Sequence, residues 1–98
     1  MLEGCTPWPP DLAARWRADG LWEALTLWEM VARTVARLPD KTALVAGEIR
    51  QTYADLDRIS ARLGAAWLAR GLKPRDRVVM QLPNTPAFVH HYLALVRI

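Results

Sequence analysis

The stretch Gly71-Leu72-Lys73-Pro74-Arg75-Asp76-Arg77-Val78-Val79-Met80-Gln81-Leu82-Pro83-Asn84 constrains this chain more than any other. Gly71 suits the left-handed position that closes a helix, and Lys73-Pro74 reads as a turn. Val78 to Leu82 is a nearly continuous apolar run, the pattern of a strand covered on both faces in a parallel sheet. Pro83 closes it. Asn84 or Thr85 is the candidate N-cap of a following helix, and Pro86 is tolerated in that helix's first turn. Phe88, Tyr92, Leu95 and Val96 supply its expected buried side. A strand feeding a helix is half of a crossover unit whose return strand comes after the helix. Neither Gly nor Asn follows Val96 as a stop signal, so the unit is expected to be truncated at Ile98.

Composition sets the class. Hydrophobic residues are 52% and charged residues 23%, which suits a core-forming α/β chain and argues against a disordered tail. A free-standing domain of this length buries only about two-thirds of its unfolded surface, so its stability margin is thin. The formal charge of +3 is uneven: residues 1–49 carry 5 Lys/Arg against 7 Asp/Glu, and residues 50–98 carry 8 against 3. The cations of the second half are scattered from Arg50 to Arg97, the pattern of a solvated helix face, and no nucleic-acid partner is expected. Cys5 is the only cysteine, so neither an internal disulfide nor a thiolate metal cluster is available, as suits a reducing cytoplasm. Glu3 and three prolines by Pro10 replace the basic segment and apolar core of a secretory signal. No apolar stretch approaches the ~20 residues that span a bilayer, so no membrane partner is expected.

Local signals order the rest. Residues 1–25 form a Trp-rich lead-in, with Asp11 as candidate N-cap of a short helix from Leu12 to about Ala18 that Gly20 closes. Trp8, Trp16, Trp22 and Trp28 fall within the first thirty residues, where they serve either packing onto a larger body or a partner surface. A second helix starts at Thr26, with Glu29 as reciprocal capping partner and Leu25 with Met30 as hydrophobic staple. Leu27, Met30, Val31, Val35 and Leu38 form its apolar stripe, and Pro39 ends it. Thr42 to Ala46 and Ile49 to Tyr53 flank Gly47-Glu48 and read as a β-hairpin. Thr52 caps a third helix with Asp55, and Leu56, Ile59, Leu63 and Trp67 recur along it at helical spacing.

The ordered series Pro39-Asp40-Lys41-Thr42-Ala43-Leu44, Thr52-Tyr53-Ala54-Asp55-Leu56, Gly71 to Val78, Leu82-Pro83-Asn84 and Ala94-Leu95 resembles the N-terminal end of the adenylate-forming superfamily. Within it, Trp8-Pro9, Arg15-Trp16-Arg17 and Gly20-Leu21-Trp22 resemble the aryl-acid adenylating ligases of siderophore biosynthesis. Trp16 stands where that family more often has Tyr. Arg75 stands where glycine commonly precedes Asp-Arg-Val, at a turn that a non-glycine residue resists. The resemblance implies a parent enzyme that joins 2,3-dihydroxybenzoate or salicylate to the α-phosphate of ATP with Mg²⁺, then passes the acyl group to an aryl carrier protein. Residues 26–98 would be an incomplete part of its large domain.

Phosphoryl chemistry calls for backbone amides, a cation and Mg²⁺ around the phosphates, hence a Ser/Thr/Gly-rich loop. The five glycines here are isolated, and the two lysines, Lys41 and Lys73, lie in predicted turns. No catalytic, cofactor-binding or metal residue is assigned, and the chain by itself is expected to be inactive and to bind no cofactor. His90 and His91 are about 100° apart on a helix and do not share a face for one metal. Ser60 sits within an amphipathic helix, Asp55 and Asp57 splay to different faces, and Asn84-Thr85 lies at a helix start where ordinary capping competes with phosphate binding. The competing class is a stand-alone interaction module that binds a carrier protein or subunit through the tryptophans or the last helix.

Overall fold

The computed structural model describes residues 4–98. Four helices and one hairpin follow in the order α1 (Pro10–Ala18), α2 (Leu27–Arg37), β1 (Thr42–Ala46), β2 (Ile49–Thr52), α3 (Tyr53–Ala69) and α4 (Pro86–Arg97). The radius of gyration is 16.0 Å, against about 13 Å for a compact domain of roughly 100 residues, so the chain is splayed.

Both capping boxes form as the sequence indicates. Thr26 accepts from the Glu29 N–H while Glu29 accepts from the Thr26 N–H at 2.6 Å, and Thr52 and Asp55 repeat the exchange at α3. The Thr52 cap makes Tyr53 the first residue of α3 and removes it from the expected strand. Its N–H donates to the Lys41 carbonyl and that of Ala54 to the Pro39 carbonyl, which satisfies first-turn donors that a helix cannot pair itself. Asp11, expected as N-cap, lies instead in the first turn of α1. Pro9 occupies the cap position and Pro10 starts the helix, because its fixed φ and missing donor suit that place. Leu25 and Met30 both remain exposed.

The hairpin is antiparallel, pairs Ala46 with Ile49 and Thr42 with Thr52, and shifts register between Thr42 and Leu44. Gly47 turns it at φ +57°. Among the described residues this is the only sheet. The expected strand at Val78 to Leu82 is not formed: a strand needs a neighbour's ladder groups, and none lies beside the run, where Val79 is 95% exposed.

The core lies between α3 and α4. Its buried line on α3 is Leu56, Ser60 and Gly64, each one helical turn apart, while Ile59, Leu63 and Trp67 are half-buried. Small residues at Ser60 and Gly64 let α4 approach closely; a Cβ at Gly64 would stand 3.1 Å from Ile98 Cγ2 and 3.4 Å from the Ala94 carbonyl oxygen. On α4 the buried residues are Leu93 and Ala94, with Leu95 and Val96 half-buried. Phe88 and Tyr92, expected inside, are exposed and stack on each other with centroids 6.4 Å apart. The helix is apolar on more than one side, and periodicity cannot tell which side the neighbouring helices will cover.

Arg75 takes φ +77°, the left-handed conformation that the sequence comparison with glycine at this turn anticipates. A side chain there costs roughly 1–2 kcal/mol. Arg75→Gly is therefore expected to raise the unfolding midpoint, less the entropy that glycine adds to the unfolded chain; a lowered midpoint in thermal unfolding would show that Arg75 contributes contacts outweighing the strain.

Candidate functional site

The titratable groups weighed from the sequence take separate structural duties. His90 Nε2 lies 2.7 Å from Gln51 Oε1, tying α4 to β2. Burial, and secondarily the neighbouring His91, lowers the His90 pKa below its ordinary value. His91 turns to the other side, its ring 5.7 Å from that of Trp67, and the buried His91 Nδ1 and Trp67 Nε1 have no hydrogen-bond partner. The two histidines thus do not converge. Ser60 is 0% exposed and donates to the Asp57 carbonyl at 3.0 Å, an arrangement for packing rather than attack on a substrate. Asp55 caps α3 and pairs with Arg58 at 2.9 Å, whereas Asp57 meets Arg97. At α4, Thr85 is the N-cap without a side-chain cap bond; its N–H and hydroxyl both donate to the Pro83 carbonyl.

Arg97 is the residue that sequence reasoning passed over. Its Nη1 donates to Asp57 Oδ1 at 2.6 Å, to the Asp57 carbonyl at 3.2 Å and to Ser60 Oγ at 3.3 Å, while its guanidinium lies 4.1 Å from the Trp28 ring centroid. One side chain thereby joins α2, α3 and α4. The only hint in the sequence is a cation in a helix's last turn, which is common enough to carry no partner information. Trp8, Trp16 and Trp22 close on one another edge to face, with centroids 5.4 to 6.5 Å apart, and Arg17 lies over Trp22. These edge-to-face contacts are the packing geometry that aromatic quadrupoles favour.

The capping carboxylates give the fold an acid limit. Glu29 is held below its ordinary pKa first by the Thr26 backbone N–H, and Asp55 first by that of Thr52 and then by Arg58. A carboxylate with a depressed folded pKa contributes stability that is present above its unfolded pKa and lost as pH falls through the folded value. His90 adds in the same direction at higher pH: its folded pKa is lowered, so protonation favours the unfolded chain below about pH 6.5. Thermal midpoints are expected to fall in two stages on acidification, near pH 6 and again below about pH 4. Glu29→Gln with Asp55→Asn should flatten the second stage and leave the first; an unchanged lower limb would contradict the capping account.

Two clefts adjoin the Val78 to Leu82 run. The larger, about 390 Å³, lies between the 72–76 turn and the Phe88-Tyr92 side of α4; the other, about 300 Å³, is bounded by Trp67, His91 and Leu95. Their walls are mainly apolar, with Lys73, Arg75 and Asp76 at the rim of the first, where Asp76 accepts from the Lys73 N–H at 2.8 Å. Among the described residues no three His, Cys, Asp or Glu side chains gather to hold a metal ion, and no glycine-rich loop cradles a phosphate. The residues lining these two clefts do not form a donor set that fits ATP-Mg²⁺. Among the described residues no helix is long and apolar enough to cross a membrane.

Comparison with known proteins supplies what the geometry withholds. Residues 31–98 match the family model described as AMP-binding enzyme. The chain belongs to that family. The chain is 37% identical over 98 residues to the 2,3-dihydroxybenzoate-AMP ligase of Bacillus subtilis, a match covering 100% of this chain and 18% of the ligase. It is 38% identical over 101 aligned residues to the salicyl-AMP ligase / salicyl-S-ArCP synthetase of Mycobacterium tuberculosis, covering 98% of this chain and 18% of that protein. The apo structure of Mycobacterium smegmatis MbtA superposes with a TM-score of 0.90 at 37% identity, over 96% of this chain and 18% of MbtA. The chain therefore spans under a fifth of the length of these relatives, of which the Bacillus subtilis and Mycobacterium tuberculosis proteins are named as AMP ligases of aryl acids.

Proposed function

We propose that this chain is the N-terminal scaffold of an aryl-acid adenylating ligase. The whole enzyme would form aryl-AMP from ATP and 2,3-dihydroxybenzoate or salicylate, with Mg²⁺, in the cytoplasm. It would then load the aryl group onto an aryl carrier protein in siderophore biosynthesis. The observation that carries this reading is the superposition on MbtA at 37% identity along nearly the whole chain, together with the reactions for which the Bacillus subtilis and Mycobacterium tuberculosis relatives are named. Within that enzyme these 98 residues supply structure. Ser60 is sealed in the α3–α4 contact, and Asp55 and Asp57 are occupied by Thr52 and Arg97. None of them is placed to touch a phosphate.

The 98-residue chain alone is expected to show no ATP–pyrophosphate exchange with either aryl acid, at any Mg²⁺ concentration. Exchange above the no-enzyme rate, dependent on the aryl acid, would overturn the assignment of a purely structural role.

A further inference from the structure

Trp8, Trp16 and Trp22 stand nearly perpendicular to one another, with interplanar angles of 77° to 85° and centroids 5.4 to 6.5 Å apart. A cleft of about 340 Å³ is lined by these three rings and Leu21. Three mutually perpendicular planes cannot all turn their edges to one opening, so at least one indole presents its face there. Trp8 is 60% and Leu21 73% exposed, which leaves the cleft open to solvent. Its lining side chains carry no charge and no hydrogen-bond acceptor.

We infer that this cleft binds a small organic cation of the choline class, a quaternary ammonium group on a short chain, held against the tryptophan rings. The site is separate from the proposed ligase chemistry and does not depend on it. An aromatic face attracts positive charge through its ring quadrupole, tryptophan most strongly. Arg17 already shows this attraction at one of the three rings. Its guanidinium lies 5.0 Å from the Trp22 centroid, and it lines the neighbouring cleft beside residues 22–26 instead of the three-ring cleft. The lining then selects among cations. A primary ammonium or a guanidinium entering the cleft gives up hydrogen bonds to water and meets no acceptor side chain in exchange, whereas a quaternary ammonium has no donor to satisfy. An anion, the carboxylate of an aryl acid included, finds no cation in the lining. The surrounding charge acts in the same sense, because residues 1–25 hold Arg15 and Arg17 against Glu3, Asp11, Asp19 and Glu23. The volume suits a small molecule, being near the lower end of the range of roughly 300–1,000 Å³ in which ligand pockets fall.

The experiment titrates the 98-residue chain with choline chloride, holding ionic strength constant with sodium chloride, and follows heat and tryptophan fluorescence together. Saturable one-to-one binding with a Kd of about 1 mM or tighter is expected. The neutral isostere 3,3-dimethyl-1-butanol has the same shape without the charge and should bind at least about tenfold more weakly. Trp8→Leu keeps apolar volume and removes one ring; it should weaken choline at least about fivefold, whereas Trp8→Phe, which restores a ring, should stay within about threefold of the parent. Trp8 is the most exposed of the three rings, so both variants are expected to keep the far-ultraviolet circular dichroism of the parent. The proposal is overturned by absence of saturation up to about ten times the expected Kd, by equal affinity for the neutral isostere, which would make the cleft merely apolar, or by a Trp8→Leu chain that binds choline as the parent does. Should the chain alone aggregate, the same titrations are read on the Bacillus subtilis 2,3-dihydroxybenzoate-AMP ligase carrying residues 1–98 in place of its matching region, where the same three results overturn the proposal equally. Failure to bind choline leaves aryl-acid-dependent ATP–pyrophosphate exchange untouched, so the two readings fail separately.

Discussion

Gly64→Leu is expected to separate α4 from α3 and to remove the cooperative unfolding transition of the chain. A Cβ alone at this position meets Ile98 Cγ2 at 3.1 Å and the Ala94 carbonyl at 3.4 Å, and the backbone oxygen cannot step aside without moving the helix. Overpacking of this kind costs about 1–3 kcal/mol and occasionally more. The reserve is small, because the buried apolar residues among those described are Ala13, Leu56, Leu93 and Ala94. Gly64→Ala separates space from backbone effects: Ile98 can give by a few tenths of an ångström, and alanine gains up to about 1 kcal/mol of helix propensity. It should therefore stay within about 1 kcal/mol of the parent. Thermal unfolding followed by near-ultraviolet circular dichroism reads both. A leucine variant that melts within a few degrees of the parent would mean that the α3–α4 approach is not as close as described.

Arg97→Ala carries the second large effect. It removes three donated hydrogen bonds and the stacking on Trp28, and it leaves Asp57 without its partner. Arg97 and Asp57 remain partly in contact with water, so the loss is smaller than for a buried pair, roughly 2 kcal/mol in all. Arg97→Lys should recover less than half of it, because an ammonium lacks the flat fork that serves Asp57 and Trp28 together. A double-mutant cycle of Arg97→Ala with Trp28→Leu is expected to show a coupling of about 0.5–1 kcal/mol. Zero coupling would mean that the ring and the guanidinium are neighbours without being partners.

Features set by neighbours in the chain were legible in the sequence. Thr26-Glu29 and Thr52-Asp55 announce their helices because the reciprocal bonds span three residues, and Gly47-Glu48 announces the hairpin because the turn itself demands glycine. At Arg75 the resemblance, with glycine commonly at that turn, marked a position where positive φ is wanted, and the φ of +77° agrees. Features set by distant partners were not. Arg97 meets Asp57 forty residues away, and His90 meets Gln51 thirty-nine residues away, with no local pattern to mark either. The buried side of α4 was misjudged because several of its sides are apolar and the choice among them is made by where α3 and α2 pack against it. Val78 to Leu82 reads as a covered strand because a nearly continuous apolar run is the pattern of one, whereas a strand also needs a ladder partner, and the run joins no ladder among the described residues. The candidate site divides the same way. Absence of a phosphate loop is a property of the sequence, whereas the sealing of Ser60 by α4 is a property of the fold.

The central claim is that this chain builds the scaffold of an aryl-acid adenylating enzyme and contributes none of its chemistry. The most direct measurement replaces the matching region of the Bacillus subtilis 2,3-dihydroxybenzoate-AMP ligase with residues 1–98 and follows ATP–pyrophosphate exchange. Exchange that depends on 2,3-dihydroxybenzoate, with KM for the aryl acid within about threefold of the parent ligase, is expected, since uniform binding is untouched when no substrate contact is exchanged. A folded hybrid with no exchange, or with KM raised by more than about a hundredfold, would contradict the claim by placing substrate-contacting residues within this chain.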